Sequence, residues 1–209
     1  GAVYSQGAKL VNESIESGKI YTSTAWGEIK DNCLNNNSTL HFIGLLSDGN
    51  VHSNISHLIA MLKQAKADGI KSVRVHILLD GRDVPATSAP VYVEQLENAL
   101  AELNDGTFSG KIASGGGRMK ITMDRYEADW NMVKLGWDTH VKGIGRQFSS
   151  AIEAINTYRS ENADVIDQDL PPFVIAENGA PVGAINNKDS VILFNFRGDR
   201  ALELSMAFD

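Results

Sequence analysis

Two nearly continuous apolar runs, residues 39–46 (TLHFIGLL) and 72–79 (SVRVHILL), constrain this chain more than any other feature of it. Such short runs, rich in β-branched and aromatic residues, are predicted as strands buried on both faces, as in the interior of a largely parallel sheet. Each gives way to a polar loop with a glycine: Ser47-Asp48-Gly49-Asn50-Val51-His52 after the first, Asp80-Gly81-Arg82-Asp83 after the second. Patterns of helical period follow at about residues 53–67, stopped by Gly69, and 88–103, where Val91, Leu96, Ala99, Leu100 and Leu103 recur.

The rest of the chain carries the same punctuation. Helices are predicted at residues 8–17, stopped by Gly18, and at about 24–35, capped by Ser23 or Thr24. A short strand is expected at 111–114, and amphipathic helices at 127–141 and 150–160. Trp130, Val133 and Trp137 share one face of the former and are read as core. Asn-Gly between the apolar runs 173–176 and 181–185 predicts a hairpin. The last strand is read at 190–196, with a final helix capped by Asp199. Alternating strands and helices, without a repeat or a linker rich in Gly, Pro or Ser, predict a single α/β domain: a mixed, largely parallel β-sheet flanked by helices.

The net charge is −7, which argues against nucleic acid and anionic membranes as partners, since both call for a basic face. No apolar run approaches the roughly 20 residues of a membrane span. Cys33 is the one cysteine, so no internal disulfide can form, which suits a reducing compartment such as the cytoplasm.

Against this acidic background, Arg82, Arg118, Arg125, Arg197 and Arg200 sit in short loops. At least three of these loops directly follow predicted strands. Parallel strands end at one edge of an α/β sheet, where ligands bind, and the guanidinium fork grips carboxylate or phosphate with two hydrogen bonds. Their convergence would suit a small, doubly anionic substrate. In Asp80-Gly81-Arg82-Asp83 the glycine permits a tight turn that lets Arg82 hold an anion while Asp83 exchanges a proton with a hydroxyl. A plain surface turn with a local ion pair is the competing reading.

His52 could donate to substrate, act as a general acid, or cap a helix. A metal site from Asp48 and His52 is conceivable, but His52 and His57 are poorly spaced for ligands on one helix face. Gly115-Gly116-Gly117-Arg118 could cradle a phosphate with backbone amides, although it matches neither GxxxxGK[ST] nor GxGxxG. Arg197 and Arg200 could converge across a helix start on one anion. No GxSxG or HExxH motif supplies a nucleophile or a zinc site. The residues offer grips and one candidate acid/base.

Taken together and in order, GLLSDGNVHS (44–53), LDGRDVP (79–85), GRMKITMDRYEADW (117–130) and FNFRGDR (194–200) resemble cofactor-independent phosphoglycerate mutase. GAKLV (7–11) and LPPFVI (170–175) extend the resemblance, which covers essentially the whole chain but well under half of such an enzyme. It implies that residues 1–209 are the inserted substrate-binding domain, separated from a phosphatase-like domain of the same polypeptide. That second domain would carry the serine nucleophile and two divalent metal ions, usually manganese, leaving no cofactor or metal ligand in this chain.

Carried over by position, His52, Arg82, Asp83, Arg118, Arg125, Arg197 and Arg200 become the substrate-binding set, with Asp83 the catalytic member. The implied reaction interconverts 3-phosphoglycerate and 2-phosphoglycerate through phosphoserine in a monomeric, cytoplasmic glycolytic enzyme. A related phosphopentomutase or phosphatase partner domain is a further possibility, and a stand-alone phosphorylated-metabolite binding module without catalysis is the alternative. Absence of an initiator methionine, and an end inside an apparent helix, predict a piece of a longer protein. Asn50 stands where many family members have a second glycine, and Gly198 replaces a common proline or alanine.

Overall fold

The computed structural model describes residues 6–51, 53–121, 130–195 and 203–206, the last four as backbone. The chain opens with α1 (Gln6–Glu16), a 3-10 turn (Lys19–Thr22) and α2 (Thr24–Asn36). Gly18, at φ 75°, ends α1 in the left-handed conformation a glycine adopts without strain. Ser23 caps α2, its hydroxyl accepting from the Trp26 amide at 3.2 Å. Then follow β1 (Leu40–Leu46), α3 (Ile55–Ala67), β2 (Ser72–Leu79), α4 (Ala89–Leu103) and β3 (Ser109–Gly117). The second half comprises α5 (Trp130–Gly136), a π turn (Trp137–Val141), β4 (Gln147–Phe148), α6 (Ala151–Glu161), β5 (Phe173–Glu177), β6 (Ala180–Pro181), β7 (Ser190–Leu193) and β8 (Glu203–Met206).

Seven strands run in the order β4-β5-β3-β2-β1-β7-β8, with β6 paired to β5. β7, β1, β2 and β3 are mutually parallel, while β5 and β8 run antiparallel to their neighbours β3 and β7, as the mixed sheet requires. The β5–β6 hairpin closes as its Asn-Gly pair predicts: Asn178 and Gly179 both have positive φ, at 52° and 79°.

Period-two alternation divides the sheet's faces. On one face Leu40, Phe42 and Leu46 of β1 and Val73, Val75, Ile77 and Leu79 of β2 join the main core, with Leu58, Met61 and Leu62 of α3 and Val93, Leu96 and Leu100 of α4. Trp26, Ile29 and Cys33 of α2 and Ile155 of α6 belong to the same cluster. The intervening residues His41 and His76 point to the opposite face, where with Ser114 and His140 they are buried as polar groups.

Three expectations are corrected. Residues 203–206 form a strand paired with β7, Leu193 opposite Glu203, and not the predicted final helix. The open ladder of β7 supplies hydrogen bonds that outweigh local helical preference, and Glu-Leu-Ser-Met alternates with the period of a strand. The proposed cap Asp199 lies outside the described residues. The stripe of Trp130, Val133 and Trp137 is not a core face: Trp130 is 70% exposed, and the buried residues are Gly136, Thr139, His140 and Val141 instead. The π turn, with its longer repeat, resets which positions face the sheet. Finally, β3 extends through Gly117, so the glycine run is strand and not loop.

Candidate functional site

Register brings the loops together. Leu46, Leu79 and Gly117 lie side by side as the last paired residues of β1, β2 and β3. The chain crosses from β1 to β2 and β3 on one side and returns to β7 on the other, so the crevice outside the carboxyl end of β1 is a topological switch point. Asn195, just past β7, reaches this edge and accepts the Leu45 amide at 2.7 Å on its Oδ1.

The glycines of this edge permit close approach. A Cβ on Gly49 would lie 2.7 Å from that of Asp83, so the β1 and β2 loops touch only because Gly49 has no side chain. Gly81 turns at φ 58°, packed against Asp167 and the Ala86 carbonyl. A Cβ on Gly117 would stand 2.2 Å from the Gln168 carbonyl oxygen, and one on Gly115 2.5 Å from Phe173. The three glycines after Ser114 therefore let neighbouring chain pack on β3, which replaces the phosphate-cradle reading with a steric reason.

At the centre is Asp80, 2% exposed. Its Oδ1 accepts the amides of Arg82 at 3.1 Å and Asp83 at 2.9 Å and Arg118 Nη1 at 3.0 Å, while its Oδ2 accepts from Ser47 Oγ at 2.5 Å. Burial pushes this carboxyl upward, but the hydrogen bonds from Ser47, both amides and Arg118 outweigh it and hold it below the ordinary value. Arg118 Nη1 also donates to Asp83 Oδ2 at 3.1 Å. Tyr92 of α4 donates to Asp48 Oδ1 at 2.7 Å, tying helix to β1 loop. Burial and the neighbouring Asp48 carboxylate push the Tyr92 hydroxyl up to about 12.

Of the predicted set, the structure brings Arg118 and Asp83 into contact and places Arg82 in the same loop as Asp83, with an exposed side chain. His52, Arg125, Arg197 and Arg200 lie outside the described residues. Asp80, Ser47 and Tyr92 were given no role by sequence reasoning. The signal for Asp80 was local: an aspartate before Gly at a strand end commonly accepts amides two and three residues on.

Behind the loop, Asp167 accepts the Ala89 amide at 2.8 Å and pairs with Arg159. It caps α4 from a distance, a service Ser88 at the helix start does not perform with its side chain. Among the described residues no group of three or more His, Cys, Asp or Glu could hold a metal ion. Asp80 is already committed to Ser47, two amides and Arg118, and Asp83 shares that guanidinium, so the described site does not fit a metal centre. Chemically it offers cationic forks beside an oriented carboxylate.

Comparison with known proteins bears on this arrangement. The family described as BPG-independent PGAM N-terminus matches residues 11–209. A probable 2,3-bisphosphoglycerate-independent phosphoglycerate mutase of Leptospira interrogans (serovar Lai) is 58% identical over 208 residues, spanning 100% of this chain and 38% of its own length. The enzyme so named from Trypanosoma brucei brucei is 50% identical over 210 residues, again 100% of this chain and 38% of the relative. The crystal structure of Leishmania mexicana phosphoglycerate mutase at low cobalt concentration superposes with a TM-score of 0.89 at 46% identity, covering 95% of this chain and 36% of that one. The chain thus spans about 38% of the length of the first two relatives.

Proposed function

Because the chain belongs to the BPG-independent PGAM N-terminus family, we propose that it is the substrate-binding part of a glycolytic isomerase interconverting 3-phosphoglycerate and 2-phosphoglycerate. The observation that carries this reading is the meeting of Arg118 with Asp83 and Asp80 at the carboxyl edge of the sheet, beside Arg82. The substrate bears a carboxylate and a phosphate, and planar cations are suited to both. Arg118 uses Nη1 for the two aspartates.

In this reading the arginines retain glycerate while the phosphoryl group rests on a serine. Asp83, oriented by Arg118, exchanges a proton with the glycerate hydroxyls. His52, Arg125, Arg197 and Arg200 complete the grip. The serine and the divalent metal ions, which we take to be manganese, belong to a phosphatase-like part of the same polypeptide beyond this chain. The shared 38% coverage favours that division over a stand-alone binding module. We further propose that the enzyme is a cytoplasmic monomer.

The test is turnover of the full-length polypeptide. Arg82→Ala and Asp83→Asn are expected to reduce kcat/KM more than tenfold, since one charge-assisted arginine contact is worth roughly 2–3 kcal/mol. Arg82 is exposed, so its loss should leave stability within about 0.5 kcal/mol. Wild-type rates in both variants would overturn the reading.

A further inference from the structure

We propose that Asp80 is a positioning residue for the whole site, fixing the substrate-holding arginine and the proton-exchanging carboxylate in one geometry; this rests on the function proposed above. A turn alone would not need a carboxylate here. An asparagine offers the same Oδ1 to the amides of Arg82 and Asp83, without the cost of burying a charge 2% exposed. What the carboxylate adds is a charged anchor for Arg118, whose side chain is only 16% exposed. It also adds a second oxygen that receives Ser47 Oγ from the adjacent β1 loop. Four hydrogen bonds from three loops converge on one side chain, and three of the four donors belong to Arg82, Asp83 and Arg118.

Arg118 shows why such an anchor matters. It bridges Asp80 and Asp83 through one nitrogen, at 3.0 and 3.1 Å. Asp83 has 13% of its side chain exposed, whereas Asp80 has 1%. When Asp83 turns to a substrate hydroxyl, Asp80 remains as the fixed point that keeps the guanidinium from following it. Removing the charge of Asp80 while keeping its shape therefore frees Arg118 to pair with Asp83 alone, which misplaces both groups.

The experiment compares the full-length enzyme with Asp80→Asn, Arg118→Gln and the double variant, measuring kcat, KM and the urea midpoint of each. Asp80→Asn is expected to lower kcat/KM by about tenfold or more, in kcat as well as KM, together with some fall in midpoint, since the ionised carboxylate also stabilises the fold. In the Arg118→Gln background the same change should have a markedly smaller effect, because its target is gone. Equal effects in the two backgrounds, or a lowered midpoint with wild-type kinetics, would overturn the positioning role. If Arg118→Gln itself retains wild-type kcat/KM, the proposed function fails and this inference falls with it. A normal Asp80→Asn beside a crippled Arg118→Gln sinks the inference alone. Should Asp80→Asn fail to fold, Ser47→Ala removes a single one of the four bonds; a fall of roughly threefold or more in kcat/KM supports the anchor, and unchanged kinetics overturns it.

Discussion

Asn50 holds its backbone at φ 60°, in the left-handed region, within the loop between β1 and α3. Its amide donates to the Ser53 carbonyl at 3.1 Å, and its Oδ1 accepts from Asn54 at 2.5 Å. Asparagine is the side chain that tolerates this conformation best after glycine. Asn50→Ala should therefore cost about 1–2 kcal/mol, whereas Asn50→Gly trades a lost side-chain bond for relief of strain and should stay within about 1 kcal/mol. Urea midpoints of the two variants check the order; an alanine variant as stable as the glycine one would refute it. Residues of this kind mark how far the sequence could be read. Asp80-Gly81-Arg82-Asp83 was legible as a turn at a strand end that carries an arginine and an aspartate, because turn chemistry is local. That Asp80 reaches Ser47 and Arg118, 33 and 38 residues away, depends on the register of β1, β2 and β3, which no local pattern encodes.

At the scale of elements, the strands were legible because apolar runs of that length have few other uses, and the Asn-Gly hairpin because its turn dictates its residues. The polar face of the same sheet was not legible. There a chain of hydrogen bonds crosses from the start of β7 to the π turn. Asp189 Oδ2 meets His41 Nε2 at 2.9 Å, His41 Nδ1 meets His76 Nε2 at 2.8 Å, and Ser114 Oγ links His76 Nδ1 to His140 Nδ1 at 2.6 Å on each side. With Asp189 ionised, one direction satisfies every bond: His140 donates to Ser114, Ser114 to His76, His76 to His41 and His41 to Asp189. The last acceptor, His140 Nε2, is buried without a partner among the described residues.

Burial holds all three histidines neutral: His41 below its ordinary value despite Asp189, His76 well below with His41, His140 and Arg74 adding to the effect, and His140 at about 4. Unfolded, each would titrate near 6.5, so below that pH the unfolded chain binds more protons. Stability is then full above about pH 6.5 and falls as pH drops toward the folded values, by up to about 1.4 kcal/mol per pH unit for each histidine. Burial also pushes Asp167 and Glu97 up, which acts in the opposite sense. Replacing His140 with leucine should flatten the decline of the urea midpoint between pH 6.5 and 4 by up to one proton's worth. A variant with the wild-type slope would show that His140 does not titrate with folding.

For the whole molecule, the question is what the chain can do alone. Its main core is one continuous cluster drawing on α2, α3, α4, α6 and the central strands, and the sheet runs from β4 to β8 within the chain. Such a unit should unfold in a single cooperative transition by itself. Catalysis is a different matter. The serines of the described site are committed: Ser47 Oγ donates to Asp80 and Ser53 Oγ to the Leu45 carbonyl, and each residue is 1% exposed. A phosphoryl carrier must be exposed and have a base or metal beside it, and neither hydroxyl meets that condition. On the proposed function, the isolated chain is therefore expected to bind phosphoglycerate in a salt-sensitive manner, yet not to interconvert its isomers even with divalent metal supplied. Phosphorus NMR of a long incubation reads both at once, from line shifts on binding and from the appearance of the second isomer. Interconversion by the purified chain would mean that the nucleophile lies within these residues. A cooperative fold that binds but leaves the isomers untouched would locate the phosphoryl carrier in the remaining part of the polypeptide.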